Sequence, residues 1–255
     1  MRAIALFIAL ASFAMPAIAA DKDAPTPPLV LPGGGVADLD GKRGFLPNTT
    51  GGVDALDLAT GKVLWTSKAS SKPLIATADK LYVMVLDAEK GNQIRLLALD
   101  VKNDGKKLAE SEVVKLPEWV ATSTTHGRSF QATAFQLGDT LLLTWAAKGW
   151  YAGGAVPPPE VEQEARKDAA GVIAVELKDG KLVTVANEKF KAAVAGKMAA
   201  EVNTIKRDGR TYTINDEVVK GTTSQVKRYL EASDKDGKKL WQHELKAPVI
   251  LIPLP

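Results

Sequence analysis

The sequence contains no cysteine and only two histidines among its 255 residues. Disulfide bonds and lipid attachment to a cysteine are therefore excluded, so packing and strand pairing have to supply the stability. Two histidines without a cysteine argue against a structural zinc site. A calcium site built from oxygen ligands would need a loop signature that the sequence does not show.

An excess of one charge is also missing, because 33 Lys and Arg stand against 30 Asp and Glu. Charges of both signs are interspersed, as in residues 235–239. This balance argues against a nucleic-acid partner. With 45% hydrophobic residues the composition is that of an ordinary folded protein.

No hydrophobic run is long enough to span a bilayer, which takes about 20 apolar residues. The run at residues 4–13 is shorter; it follows Arg2 and precedes Ala17-Ile18-Ala19, a pattern that signal peptidase reads. We therefore expect residues 1–19 to be a signal peptide. The mature chain is then periplasmic or secreted and has no membrane span.

Residues 20–43 are rich in proline and glycine, and we expect them to form an extended leader with too little apolar content to pack. The folded domain is predicted to cover residues 44–255. There, short apolar or alternating runs bounded by turn residues predict strands, as at 81–86 and 140–145. One helical or irregular insertion is expected at about residues 146–170, with a short surface helix at 160–167 after three prolines.

A hairpin repeats four times along the chain. Each copy has a strand, an acidic residue that can accept backbone hydrogen bonds, a turn containing glycine, and a second strand. In the two clearest copies the second strand carries a tryptophan four residues after the glycine, where it can cover a neighbouring sheet. Ala109 and Thr184 occupy this position in the two weaker copies. The residues that define the four copies are Ala55, Asp57, Gly61, Trp65, Asp100, Gly105, Gly180, Asp234, Gly237 and Trp241.

The copy at residues 55–65 resembles the tryptophan-docking repeat of PQQ-type quinoproteins, A-x-D-x-x-T-G-K-x-x-W, at every specified position. The resemblance implies an all-β fold, a β-propeller of four-stranded blades. Propellers of this type include quinoprotein alcohol dehydrogenases and an outer-membrane assembly lipoprotein. The chain resembles secreted PQQ-like repeat proteins more closely.

Four copies predict four blades, three of them at residues 73–116, 128–187 and 199–246. Residues 44–68 supply three further strands, so we expect residues 248–254 to add the fourth and close the ring, which removes exposed sheet edges. The alternative is an open half-propeller that pairs with another chain, as in a homodimer.

Candidate ligand-binding residues lie in two predicted loops. Trp150 and Tyr151 stand beside Gly153-Gly154 in the insertion and could stack on a sugar or a peptide. His126 lies in a polar loop close to Ser129 and Arg128, and could act as a general base if an acid partner were near. The simpler interpretation is that these side chains anchor loops or make surface hydrogen bonds.

We predict neither a catalytic nor a metal-binding residue, and no cofactor. In catalytic quinoproteins the resemblance implies a PQQ cofactor held against a metal ion, a carboxylate base and often adjacent cysteines. The sequence has no cysteine and no acidic cluster that aligns with these positions. The expected function is therefore a non-enzymatic binding or scaffolding module with a protein or carbohydrate partner in the cell envelope. The alternative is a quinoprotein-like oxidoreductase, or a degenerate member that still binds PQQ with calcium.

Overall fold

The computed structural model describes residues 24–68, 72–86, 92–116, 129–148, 170–186, 188–194, 197, 203–219 and 225–246. These residues form four antiparallel sheets, numbered here in chain order. The expected all-β propeller architecture is confirmed, with three sheets close to the predicted boundaries of their blades.

Sheets 1 and 2 have five strands each, and sheets 3 and 4 have four each. In sheets 1, 3 and 4 the strands lie in chain order, whereas in sheet 2 both β9 and β10 pair with β8. Sheet 1 consists of β1 (Leu29–Leu31), β2 (Gly35–Ala37), β3 (Arg43–Pro47), β4 (Val53–Asp57) and β5 (Val63–Ser67). Sheet 2 consists of β6 (Lys72–Ala76), β7 (Lys80–Leu86), β8 (Gln93–Asp100), β9 (Lys106–Glu110) and β10 (Val114–Lys115). Sheet 3 consists of β11 (Ser129–Leu137), β12 (Thr140–Lys148), β13 (Ala170–Lys178) and β14 (Lys181–Val185). Sheet 4 consists of β15 (Thr204–Arg207), β16 (Arg210–Val219), β17 (Gln225–Ser233) and β18 (Lys239–Leu245).

Asp-Gly pairs form the tightest hairpin turns. Lys178 pairs with Lys181, and Arg207 pairs with Arg210, so each of these hairpins has a loop of two residues. Both residues of the loop have positive φ, 48° and 74° at Asp179-Gly180 and 49° and 71° at Asp208-Gly209. Such loops match the twist of the flanking strands, which explains why these short sequences form hairpins.

The sheets pack face to face in the spatial order 4, 1, 2, 3. Alternation along each strand sends successive side chains to opposite faces. Phe45 of β3 therefore packs towards sheet 2, while its neighbour Leu46 packs towards sheet 4. The largest cluster joins sheets 2 and 3 and includes Met84 and Leu143.

The outer face of sheet 3 is covered by the helix α1 (Glu188–Val194), which packs Phe190 and Val194 onto Phe135 and Leu142. The outer face of sheet 4 is polar, since Thr213, Glu231 and Gln242 lie opposite one another on it. A face of this composition is not suited to burial against another sheet. In the part of the chain that the structure describes, no helix is long and apolar enough to cross a bilayer.

The folded region begins earlier in the chain than Gly44. Leu29–Leu31 and Gly35–Ala37, expected to belong to the extended leader, pair with each other, and Gly35–Ala37 also pairs with β3. Gly33 and Gly34 form the turn between them with φ of 80° and 78°, which explains how so glycine-rich a segment makes a tight hairpin. Further towards the N-terminus, Thr26 pairs with Gln136 of sheet 3 through backbone hydrogen bonds of 2.7 and 3.0 Å. The N-terminal segment therefore links sheet 3 to sheet 1.

Sheet 1 already has five strands without any contribution from the C-terminus. The predicted closing strand at 248–254 lies outside the described residues, and so does the expected helix at 160–167. Strand β12 extends to Lys148 and strand β13 begins at Ala170, so the ends of the expected insertion belong to sheet 3.

Candidate functional site

Two tryptophans of the repeats dock on glycines of the neighbouring sheet. Trp65 is 8% exposed at the junction between sheets 1 and 2. A Cβ added to Gly105 of sheet 2 would lie 2.5 Å from the Cζ3 atom of Trp65. Trp241 of sheet 4 covers Gly61 of sheet 1 in the same way, with its Cγ 2.5 Å from an added Cβ. Each ring therefore needs a glycine beneath it, because no larger residue leaves room.

The acidic residues of the same repeats stabilise the turns by accepting backbone hydrogen bonds. One carboxylate oxygen of Asp57 accepts the backbone N–H groups of Ala59 and Thr60 at 2.7 and 2.9 Å. Asp100 and Asp234 likewise each accept two backbone N–H groups, at 2.8 and 3.2 Å and at 2.9 and 2.9 Å. These side chains therefore perform a structural task at the periphery of the sheets.

The glycines of the other two copies, Gly180 and Gly237, do not receive a tryptophan from the described residues, because no described atom lies within 4 Å of a Cβ added to either. Sheets 2 and 3 are instead joined by the largest apolar cluster, in which Trp145 of β12 stacks on Phe130 with ring centroids 6.3 Å apart. The docking geometry therefore connects sheet 4 to sheet 1 and sheet 1 to sheet 2.

A polar cluster is buried at the junction between sheets 1 and 4. The carboxylate of Asp54 accepts hydrogen bonds from Asn48 Nδ2 at 2.9 Å and from Thr66 Oγ1 at 2.8 Å. Its other oxygen lies 3.2 Å from Nε2 of His243 in β18. Burial raises the pKa of Asp54, but His243 and the hydrogen bonds from Asn48 and Thr66 outweigh it and lower that pKa below its usual value.

The lowered pKa of Asp54 predicts a loss of stability in acid. Because the folded pKa lies below the unfolded one, the ionised carboxylate stabilises the fold above the unfolded value and loses that effect as the pH falls through the folded value. At neutral pH we expect Asp54→Asn to lower the free energy of unfolding by about 1–3 kcal/mol, because the groups that contact Asp54 would lose their charged acceptor. Urea denaturation of both proteins between pH 2 and 7 measures this, and the difference should shrink at the acid end. Asp236→Asn, at an exposed position, is the control; an equal loss there would contradict a specific role for Asp54.

All four sheets line one central cavity of about 290 Å³. The β1–β2 hairpin contributes Val30 and the glycine turn, β6 contributes Lys72, β11 contributes Gln131, and β17 contributes Arg228. Asn203 lines the cavity just before β15. The two charged residues among the described lining residues are both cations.

Polar contacts hold both cations of the cavity wall in place. Arg228 donates two hydrogen bonds of 2.8 Å to the carboxylate of Asp216. The hydrogen bond and the positive charge of Arg228 lower the pKa of Asp216. Lys72 Nζ donates to the carbonyl of Ala132 at 3.5 Å, across the junction between sheets 2 and 3.

The described wall of this cavity does not fit a quinone held against a calcium ion. It carries neither a carboxylate nor an aromatic ring, whereas calcium takes oxygen ligands, carboxylates above all. Among the described residues, no group of three or more His, Cys, Asp or Glu could hold a metal ion.

Each sheet exposes one aliphatic side chain at the same position of its outermost strand, immediately before the docking position. These residues are Leu64, Leu108, Val183 and Leu240, with exposed fractions of 48%, 39%, 41% and 44%. On β5, Val63 is exposed as well. The outer rim of the molecule, defined by these residues, therefore presents an exposed aliphatic residue at the same repeat position of every sheet.

The candidate ligand-binding residues His126, Arg128, Trp150 and Tyr151 lie outside the described residues. Sequence reasoning missed Lys72, Arg228 and Asp54. Strand periodicity could have placed each on its strand, but no local signal marks the distant residue that each one meets.

A family model described as the outer membrane protein assembly factor BamB matches residues 17–215, more than half of the chain. Comparison with curated proteins finds no match. Among solved structures, BamB from Moraxella catarrhalis is 15% identical with a TM-score of 0.31, over 81% of this chain and 59% of that one. A europium-containing methanol dehydrogenase is 15% identical with a TM-score of 0.30, over 80% of this chain and 40% of that one. The chain thus spans less than two thirds of each of these two proteins.

Proposed function

The chain belongs to the family of the outer membrane protein assembly factor BamB, and we propose that it is an exported, non-enzymatic β-propeller that holds protein partners during outer membrane protein assembly. Export rests on the signal-peptide pattern of residues 1–19. With that leader removed, the protein would act in the cell envelope.

The repeated aliphatic residue of the outer rim is the observation that carries this proposal. A single exposed leucine is ordinary on a protein surface, whereas an exposed aliphatic residue at the same position of every sheet is a repeated feature that a partner lying along the rim could contact. Leu64 and Leu240 precede the two docked tryptophans, so firmly packed strands present them. A rigid apolar rim lowers the entropic cost of binding a partner.

The backbone beside these residues can also take part. Strands β5 and β18 lie at the outer ends of sheets 1 and 4. An outer strand presents N–H and C=O groups to which an extended segment of a partner can add as a further strand. Strands of outer-membrane barrels alternate apolar and polar residues, so one face of such a segment could contact the rim leucines while its backbone pairs.

The experiment is deletion of the gene, followed by measurement of the amount of folded outer-membrane barrel proteins on heat-modifiability gels. We expect the deletion to lower that amount and the wild-type gene to restore it. A gene carrying Leu64→Lys and Leu240→Lys together should fail to restore it, because both substitutions remove apolar contact area from the rim. The control is Thr204→Lys, which adds a positive charge at an exposed position of β15, the strand at the other end of sheet 4, and should restore assembly fully.

Two outcomes would contradict the proposal. One is an unchanged amount of barrel proteins in the deletion strain. The other is a saturable rise in the melting temperature of the purified protein with PQQ and calcium, which would favour the alternative of a quinone-binding protein. The described cavity wall, with no carboxylate for calcium, leads us to expect no such rise.

A further inference from the structure

We propose that the central cavity binds a small molecule bearing carboxylate groups. This inference goes beyond the proposed scaffold function and does not depend on it, because the rim leucines and the cavity are different surfaces. It rests on the charge, the polarity and the size of the cavity that the four sheets line.

Charge is the first reason. The chain has nearly equal numbers of acidic and basic residues, yet the charged residues that line the described cavity are Lys72 and Arg228, both cationic. The paired carboxylate of Asp216 is not among the lining residues and orients the guanidinium of Arg228 from outside. This bidentate contact fixes the orientation of the guanidinium in the cavity wall.

The two side-chain amides of the cavity wall can also bind an anion. Gln131 and Asn203 can each donate two N–H bonds to an acceptor. Most of the other lining residues are aliphatic, proline or glycine. Lys72 and Arg228 are both partly exposed, so a ligand that enters the cavity from solvent can reach their charges.

The size of the cavity sets the class of ligand. About 290 Å³ lies at the lower end of the range for small-molecule sites. A dicarboxylate of about four carbon atoms fits within such a space, whereas a penta-glutamate peptide is too large to lie wholly inside it.

Isothermal titration of the full-length mature protein with succinate, at constant ionic strength, tests the proposal. Succinamide, which has the same shape without charge, and a penta-glutamate peptide are titrated in parallel. We expect saturable binding of succinate and no binding of the other two. Equal binding of succinamide would show that charge is not recognised, and equal binding of the peptide would show that the carboxylates bind on the open surface; either result overturns the proposal, as does the absence of succinate binding.

Substitutions of lining residues test whether succinate binds in the cavity. Lys72→Met should weaken succinate binding by about tenfold, the loss of one charge-assisted contact. Lys62→Met, at an exposed turn on the periphery of sheet 1, is the matched control and should leave binding unchanged.

Gln131 provides a second series that does not touch the packed core, because its side chain is exposed. Gln131→Glu should weaken binding by repulsion, and Gln131→Lys should strengthen it. Two results would overturn the assignment of the site to this cavity. One is an effect of the same sign from both Gln131 variants, and the other is a loss of succinate affinity in Lys62→Met equal to the loss in Lys72→Met.

Discussion

Replacing Trp65 with alanine is expected to lower the free energy of unfolding by about 3–5 kcal/mol, the usual cost of truncating a large buried aromatic side chain. The indole is 8% exposed and packs 5.8 Å from the ring of Phe45. Its Nε1 donates to the carbonyl of Val101 in sheet 2 at 3.4 Å. Removing the ring would therefore leave a cavity between sheets 1 and 2, together with an unpaired carbonyl.

Urea denaturation followed by circular dichroism measures this effect. Leu64→Ala is the matched control, because Leu64 precedes Trp65 on the same strand but points outward with 48% of its surface exposed. We expect this control to change the stability by less than about 0.5 kcal/mol. A Trp65→Ala variant as stable as the control would show that the indole does not hold the two sheets together.

Substituting alanine for Gly105 is expected to cost about 2–5 kcal/mol for two separate reasons. The residue has a φ of 69°, and a left-handed backbone costs a residue with a Cβ about 1–2 kcal/mol. In addition, the new methyl group would lie 2.5 Å from Trp65, so the ring would have to move, and overpacking of this kind costs about 1–3 kcal/mol.

Gly180→Ala separates these two contributions. Gly180 has a similar φ of 74°, but no atom of the described residues lies within 4 Å of an added Cβ. We expect this variant to lose only the backbone part, about 1–2 kcal/mol. Thermal and urea denaturation of both variants give the difference. Equal losses would mean that the contact between Trp65 and Gly105 contributes little to the stability.

The strands and the turns were largely predictable from the sequence, because the signals that specify them are local. Alternation of apolar residues marks β7, β12 and β13. The hairpin loop at Asp179-Gly180 follows from an Asp-Gly pair between two runs of strand-forming residues. The leader was harder to interpret, because β1 and β2 have three residues each and depend on β3 for partners.

The candidate site was much less predictable. Lys72 and Arg228 are more than 150 positions apart in the chain, and each lies in a strand of otherwise ordinary appearance. Asp54 and His243 are separated by a still longer stretch and meet only because sheet 4 packs on sheet 1. Neither pair has a spacing that strand periodicity could detect.

The all-β repeat architecture, the hairpin turns and the position of Trp65 on its strand follow from the sequence, because strand periodicity, turn residues and the repeat motif are properties of short segments. The docking of Trp65 on Gly105, the packing order 4, 1, 2, 3, the placement of the N-terminal hairpin in sheet 1 and the cationic wall of the cavity come from the tertiary structure. The physical reason is that packing between sheets depends on the complementarity of faces whose residues are far apart along the chain.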